Sequence, residues 1–380
     1  MIEFAEILRK HGRDYLEQYK DKIPQNHLKA INDILICRIK ENGGQVYFCE
    51  HCDCFVYSYH SCGNRNCNKC QNELADVWLE KSKERLLAVC HFLVTFTLPD
   101  SLRTFARSNQ NLFYNLLFNS AAEALQSIAY DTKYAGGKLG MIAVLHTWSR
   151  NLAYHLHAHF VVTGGGLFED ENVWLPSKED FLVPVKALSK IFKAKFRDFL
   201  KNDNEDIFRQ IPSNVWKNDW VVHSEPVGSG EQALSYLARY IFRPAISNNN
   251  ILSLENGIVK FRFKNTETKQ WQEMELSAHK FIHRYLQHAL PKGFVKVRYY
   301  GLYAHAYKKK LNEVPRDRLI KTIINHFTEH EKTNNYLCSK CHNPLILIEE
   351  FGKEYYYSNG PPKREVLLTA IYKKIQSQDF

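Results

Sequence analysis

Two histidines flanking a single alanine, His157-Ala158-His159, run directly into Phe160, Val161 and Val162. Such a run predicts a buried strand, and because side chains alternate along a strand the two imidazoles share one face while Ala158 takes the other. A rigid pair of imidazoles is the beginning of a metal site, although hydrogen-bonded core histidines are the competing explanation. Further along, Tyr236 and Tyr240 lie four residues apart in GSGEQALSYLARYIFRPAIS. On a helix that spacing puts both phenols on one side, beside a stripe of Ala233, Leu234, Leu237 and Ile241. A phenol holds its proton to a pKa of about 10 and is a weak nucleophile at neutral pH. Beside a metal-bound phosphodiester it can nonetheless attack phosphorus and form a phosphotyrosine; simple core packing is the alternative role for the pair.

The cysteines form the third chemical group. Ten are present, six of them between Cys49 and Cys70. Cys49-x2-Cys52 and Cys67-x2-Cys70 are separated by fourteen residues, a spacing at which two knuckles are expected to close one tetrahedral zinc site. An all-thiolate site leaves no position for substrate, so this zinc is expected to be structural. Cys37, Cys62, His60 and, further upstream, His11 are left to build a second site or to substitute into the first, with Cys54 the expected bystander. Near the end, Cys338-x2-Cys341 follows His326-x3-His330, which could make another small zinc site or leave a pair of free thiols.

The elements that must position these groups follow from periodicity. Residues 1 to about 36 read as helical, broken near Pro24, and Leu74 to Leu87 as a charged helix. From His91 the pattern runs strand (His91 to Asp100), helix (Leu112 to Ala129), strand (Met141 to Thr147), strand (Leu156 to Thr163), helix (Pro184 to Leu200) and strand (Asp219 to Pro226). The order β-α-β-β-α-β predicts an α+β fold with a ferredoxin-like antiparallel sheet and helices on one face. A β-hairpin or short sheet is expected between Ile251 and Glu275. The domains read from this are a helical and cysteine-rich zinc region (1–90), a catalytic domain (91–247), a basic region (248–330) and a tail (331–380).

Composition bounds the partners. With 380 residues, 44% hydrophobic and 24% charged, the chain is an ordinary globular one, without a run long enough for a membrane span or a secretory leader. Segment 260–321 holds 15 Lys and Arg against 5 Asp and Glu, a surplus equal to the chain's whole formal charge of +10. Interleaved there with Tyr and Phe, such cations suit single-stranded nucleic acid, phosphates pairing with charge and bases stacking on rings. Candidate contacts are Lys292, Lys296, Arg298, Lys308, Lys309 and Lys310, joined by Arg239 and Arg243, themselves four residues apart on the tyrosine helix. No Walker-type loop is present, so no nucleoside triphosphate is expected.

These motifs carry a resemblance. HLHAHF followed by YLARY resembles the two-tyrosine class of HUH endonucleases, and FLVTFTLP is similar to the first motif of rolling-circle replication initiators. A longer ordered likeness, over roughly residues 10 to 310, runs through CRIKENGG, SCGNRNCNKCQ, FTLP, LHTWS, HLHAHF, GGG, YLARYIFRPAIS and LPKGFVKVRYYG. It is to the rolling-circle transposases of the insertion sequence ninety-one family. The resemblance implies a bacterial, cytoplasmic enzyme, nucleoid-associated when bound. Such an enzyme nicks one strand at a transposon end, holds the 5′ end on a tyrosine and joins a single-stranded copy to target DNA. It further implies Tyr236 and Tyr240 as nucleophiles and His157 and His159 as ligands of Mg²⁺ or Mn²⁺. The third ligand is not fixed by the motif: His146 is the choice, on a strand that could pair with 156–163, and His155 the alternative. A replication initiator using the same chemistry, or a zinc-containing DNA-binding regulator without catalysis, would share parts of this pattern.

Overall fold

The computed structural model describes residues 2–70, 72–168, 170, 173–241, 244–265, 268–307 and 336–351. The chain runs through α1 (Phe4–Tyr19), α2 (Gln25–Leu35), β1 (Gly44–Cys49), β2 (Cys54–Tyr59), α3 (Asn72–Lys83), β3 (His91–Thr97), α4 (Arg103–Ser108) and α5 (Gln110–Ala129). It continues as β4 (Gly140–Trp148), β5 (Tyr154–Thr163), β6 (Gly165–Phe168), β7 (Val173–Pro176), α6 (Val185–Asp203), α7 (Glu205–Gln210), α8 (Asn214–Lys217) and β8 (Val221–Pro226). After α9 (Glu231–Ile241) come β9 (Ile251–Glu255), β10 (Ile258–Lys264), β11 (Trp271–Ser277), α10 (Ala278–Leu286), β12 (Val297–Gly301) and β13 (Ile346–Phe351). Two compact units result: Leu74–Phe242 with Leu290–Ile324, and Met1–Glu73 with Arg243–Ala289 and Asn325–Phe380. No helix among the described residues is long and apolar enough to cross a membrane.

The first unit is built on a five-stranded antiparallel sheet in the order β12-β4-β5-β3-β8. Without β12 this is the ferredoxin-like arrangement expected from the β-α-β-β-α-β order. Strand alternation divides the sheet into two faces. Phe92, Val94 and Phe96 of β3, Ala143 and Leu145 of β4, and Ala158, Phe160 and Val162 of β5 join the buried side chains of α5 and α6 in one core. Phe160 sits at its centre, edge-on to Phe96 at 5.4 Å and to Phe118 at 6.4 Å between ring centroids. The opposite face carries Leu93, Ile142, Val144 and Val161, covered by Ala233, Leu234, Leu237 and Ile241 of α9. β12 extends the sheet by pairing Val297 with Val144 through Gly301 with Gly140. Its sequence, VRYYG, reads as a basic aromatic stretch, and that composition masks its strand character.

The second unit holds the cysteines. Apolar residues of α1 at helical spacing (Phe4, Ile7, Leu8, Tyr15, Leu16) are buried. Phe4 stacks on Tyr285 of α10 with 3.8 Å between centroids. The Tyr285 hydroxyl shares its one hydrogen between the Asn66 carbonyl and Asn68 Oδ1, holding the segment around Cys67. β9, β10 and β11 make a three-stranded antiparallel sheet, the short sheet of the two alternatives expected from Ile251 onward. β1 and β2 form a hairpin whose outer edge is completed by β13 in the order β13-β1-β2.

Because Phe160 is fully buried among aromatic rings, Phe160→Ala leaves a cavity and should lower the unfolding free energy of the sheet-containing unit by about 3–5 kcal/mol. Denaturant titration checks this, and an unchanged midpoint would contradict the packing described.

Candidate functional site

β4 and β5 pair so that His146 stands directly opposite His157, and Val144 opposite His159. Residues opposite one another share a face, so all three imidazoles emerge on the side covered by α9. One ring nitrogen from each lies within 4.8 Å of the other two. Centroids are separated by 5.1 Å (His146 to His157), 4.5 Å (His146 to His159) and 5.0 Å (His157 to His159), with planes 73–86° apart, so the rings meet edgewise and do not stack.

Hydrogen bonds orient two of them. His157 Nδ1 lies 2.9 Å from the His155 carbonyl oxygen, and that carbonyl can only accept, so Nδ1 carries the proton and Nε2 keeps its lone pair. His159 Nδ1 lies 2.8 Å from Thr95 Oγ1, on the strand directly opposite. This is the outer-shell support that fixes a ligating imidazole. Burial holds His146 and His157 well below the usual histidine pKa and brings His159 to about 4; for His146 and His157 the neighbouring imidazoles add to the effect. The rings are therefore neutral, the form that donates a lone pair to a cation. Three convergent neutral nitrogens fit a divalent ion and leave further coordination positions open. His155 does not supply a nitrogen to this group; its backbone carbonyl positions His157 instead.

The apolar stripe of α9 sets the rotation of that helix on the sheet, and Tyr236 emerges beside the imidazoles. Its ring, 41% exposed, stands at 89° to that of His159 with 6.4 Å between centroids. Tyr240 and Arg239 belong to the last turn of the same helix; their side chains lie outside the described residues, as do Arg243, Lys308, Lys309 and Lys310. Where α9 begins, Gly230 has φ +82° and a Cβ there would meet the His91 ring at 2.9 Å, so glycine lets the helix start close over His91. His91 is itself buried, with Nε2 2.7 Å from the Tyr303 hydroxyl.

The basic residues separate. Lys296 donates to the Ile241 carbonyl at 3.2 Å and lies over the Trp148 ring at 4.7 Å, while Trp148 stacks on His146 at 5.8 Å. Its ammonium is thus beside the imidazoles. Arg298, opposite Ala143, turns to the other face, where it bonds Asn115 Oδ1 and covers Phe118 and Phe294. Lys292 is exposed in the turn before β12.

The cysteine geometry corrects the expectation that the two Cys-x2-Cys knuckles share one ion. Cys67 and Cys70 join Cys37 and Cys62, whereas Cys49 and Cys52 join Cys338 and Cys341. The reason is the β1–β2 hairpin: Cys49 and Cys52 sit at its tip, Cys37 and Cys62 at its base, and a six-residue strand spans about 20 Å. In the basal group Cys70 Sγ lies 3.1 Å from Cys37 Sγ and 3.6 Å from Cys62 Sγ, and the hydrogen bonds it accepts from Cys37, Cys62 and Cys67 pull its thiol down. Among the described residues neither His60 nor His11 joins a cluster of possible ligands, and the four thiols of each group stand without them. The backbone of His60 instead bonds Gly43 and Arg38 across the hairpin base, and His11 lies on α1 near His279 and Asp14. Cys54 also stands outside both groups; His326 and His330 lie outside the described residues.

Sequence reasoning missed Thr95, Trp148 and the partnership of Cys338 and Cys341 with the hairpin tip. Thr95 was within reach, since it shares a face with Leu93 and Thr97 on a strand flanking the histidine strand.

A ferredoxin-like sheet with a histidine cluster, in a chain that also carries a tetrathiolate region, defines a two-part α+β protein. Comparison with known proteins gives that architecture its class. Residues 140–311 match a family model described as "Putative transposase", and residues 7–98 one described as "Transposase zinc-binding domain". "Putative transposase y4qJ" of Sinorhizobium fredii is 36% identical over 392 residues, covering 95% of this chain and 97% of that protein. "Transposase for insertion sequence element IS801" of Pseudomonas savastanoi pv. phaseolicola is 27% identical, covering 73% of this chain and 70% of that one. No solved structure matches. The chain belongs to the IS91 family of transposases. It acts on DNA, and its cysteine-rich region holds structural Zn²⁺.

The buried imidazoles fix a pH dependence. In the folded chain without added divalent cations, His91 and His159 stay neutral down to about pH 4, and burial likewise holds His146 and His157 well below the usual value. Unfolded histidines protonate near pH 6.5. The unfolded state therefore takes up more protons in this window, and stability, complete above pH 6.5, falls as the pH drops towards 4. Thermal unfolding should show Tm declining from pH 7 to pH 4, less steeply in His157→Ala; an equal slope in both would contradict the burial of a neutral His157.

Proposed function

We propose that this transposase is a metal-dependent single-strand DNA endonuclease and strand transferase that works by a rolling-circle route through a 5′-phosphotyrosine. The observation that carries the reading is the edgewise cluster of His146, His157 and His159 with the Tyr236 ring standing beside His159. When bound there, Mg²⁺ or Mn²⁺ would polarise a non-bridging oxygen of the scissile phosphate and offset the charge that develops on it. His157 and His159 are the fixed ligands, steadied by the His155 carbonyl and Thr95, and His146 is the third.

The Tyr236 oxygen attacks phosphorus; the P–O bond to the 3′ oxygen breaks, the phenolic proton is given up, and the departing 3′ oxygen gains one. The 5′ end is left esterified to tyrosine. One phosphodiester is exchanged for another of similar energy, so the attack of a waiting 3′-hydroxyl reverses the step and joins a new strand, with no nucleoside triphosphate. Tyr240, one turn further along α9, serves the second cleavage. Lys296, held over Trp148, supplies positive charge beside the phosphate, while Arg239, Arg243, Lys292, Lys308, Lys309 and Lys310 grip single-stranded DNA at transposon ends and target. In this reading residues 1–90 supply the zinc region, joined by β13 of the tail (331–380), residues 91–247 with β12 supply the nuclease, and the rest of 248–330 supplies DNA contacts.

Incubation with single-stranded terminus DNA and Mn²⁺, followed by a denaturing gel, should reveal a covalent adduct that forms without ATP. The adduct should fall by roughly three orders of magnitude in the Tyr236→Phe/Tyr240→Phe double variant. His157→Ala should abolish cleavage yet bind the same DNA in a gel shift. An undiminished adduct in the double variant would assign the nucleophile elsewhere, and binding without any adduct in the unaltered chain would mark a non-catalytic DNA-binding protein.

A further inference from the structure

The hairpin tip and the tail bring four thiols together from opposite ends of the chain. Cys49 Sγ lies 3.5 Å from Cys341 Sγ, and Cys52 Sγ 4.0 Å from Cys338 Sγ. Four thiolates placed tetrahedrally about 2.3 Å from a zinc ion stand about 3.8 Å from one another, between these two values. A disulfide, at about 2.05 Å, is excluded for either pair.

The backbone repeats the same device in both halves. The residue after the second cysteine of each pair, Asp53 (φ 48°) and His342 (φ 58°), is left-handed, a conformation uncommon for residues other than glycine. In each half the thiol of the first cysteine accepts backbone N–H bonds from within its own turn: Cys49 from Cys52, and Cys338 from Lys340 and Cys341. Two such turns face each other. In the basal cluster the residues after the two single cysteines, Arg38 (φ 57°) after Cys37 and Gly63 (φ 64°) after Cys62, are left-handed as well.

We propose that Cys49, Cys52, Cys338 and Cys341 bind a second structural zinc ion, shared between the hairpin tip and the C-terminal segment. Half of its ligands lie beyond residues 7–98, the extent of the matched zinc-binding region. The ion acts as a clasp. Holding residues 49 and 341 together opposes the entropy of a closed loop of nearly three hundred residues, and it delivers β13 to the edge of β1, where Ile346 pairs with Phe48 and Phe351 with Gly44. A three-stranded sheet with so many exposed side chains, Phe55, Tyr57, Ile346, Leu347 and Ile348 among them, buries little apolar surface of its own. Metal supplies what burial does not.

Zinc counting on the full-length protein tests this. Cys49→Ser/Cys52→Ser and Cys338→Ser/Cys341→Ser should each lose one equivalent, and the quadruple variant should lose no more than either, because both pairs hold the same ion. Cobalt(II) titration of the unaltered chain gives a readout independent of whether variants fold. Sulfur-to-cobalt charge-transfer absorption should rise to the intensity of eight thiolates over two equivalents, and the histidine cluster adds nothing to those bands. Saturation at four thiolates, full zinc retained by the tail variant, or additive losses in the quadruple variant would each overturn the shared site.

Discussion

The antiparallel register of β4 against β5 is the constraint on which the site depends. It places His146 opposite His157 and leaves His159 one pleat away on the same face. A slip of one residue in either strand would send that strand's imidazoles into the aromatic core on the other side. What prevents it is that core: Leu145, Ala158, Phe160 and Val162 are fully or almost fully buried against α5 and α6, and no shifted pairing keeps them there. Apolar packing on one face thus fixes the polar chemistry on the other.

The same economy sets the partner helix. Leu234 and Leu237 of α9 lie against Leu93, Ile142, Val144 and Val161, the apolar half of the face whose other half holds the histidines. A helix seated on that half by an i, i+3 stripe presents the residue before Leu237 to the polar half, and that residue is Tyr236. The imidazoles are a stability liability, since three polar rings are withdrawn from water and kept neutral at one place. Sites that depart from good packing in this way are where function is expected. Outer hydrogen bonds from Thr95 and the His155 carbonyl limit the liability by fixing ring orientation.

Much of this was legible from local pattern. The shared face of His157 and His159 follows from strand alternation alone, the apolar stripe of α9 from helical spacing, and the sheet from the order of its elements. What escaped depends on contacts distant in sequence. The two knuckles look like one site because their spacing is that of a ribbon; only the length of the β1–β2 hairpin shows that they stand at opposite ends of it, and nothing near residue 49 points to residue 341. β12 was hidden because Arg298 and its tyrosines suggest a nucleic-acid surface, whereas pairing with β4 aims Arg298 at Phe118 and Phe294. Cations close in sequence are therefore divided between faces, and only Lys296 among the described candidates reaches the imidazoles.

In the proposed site one cation is gripped by three imidazoles within reach of the tyrosine helix. Crystals of the protein grown with Mn²⁺ and a single-stranded oligonucleotide, measured for anomalous scattering at the manganese edge, address it most directly. A single strong peak should be bonded to His146, His157 and His159, with a phosphate oxygen on its open side facing Tyr236 or Tyr240. Manganese bound elsewhere, or at the imidazoles with both phenols turned away from the phosphate, would contradict it.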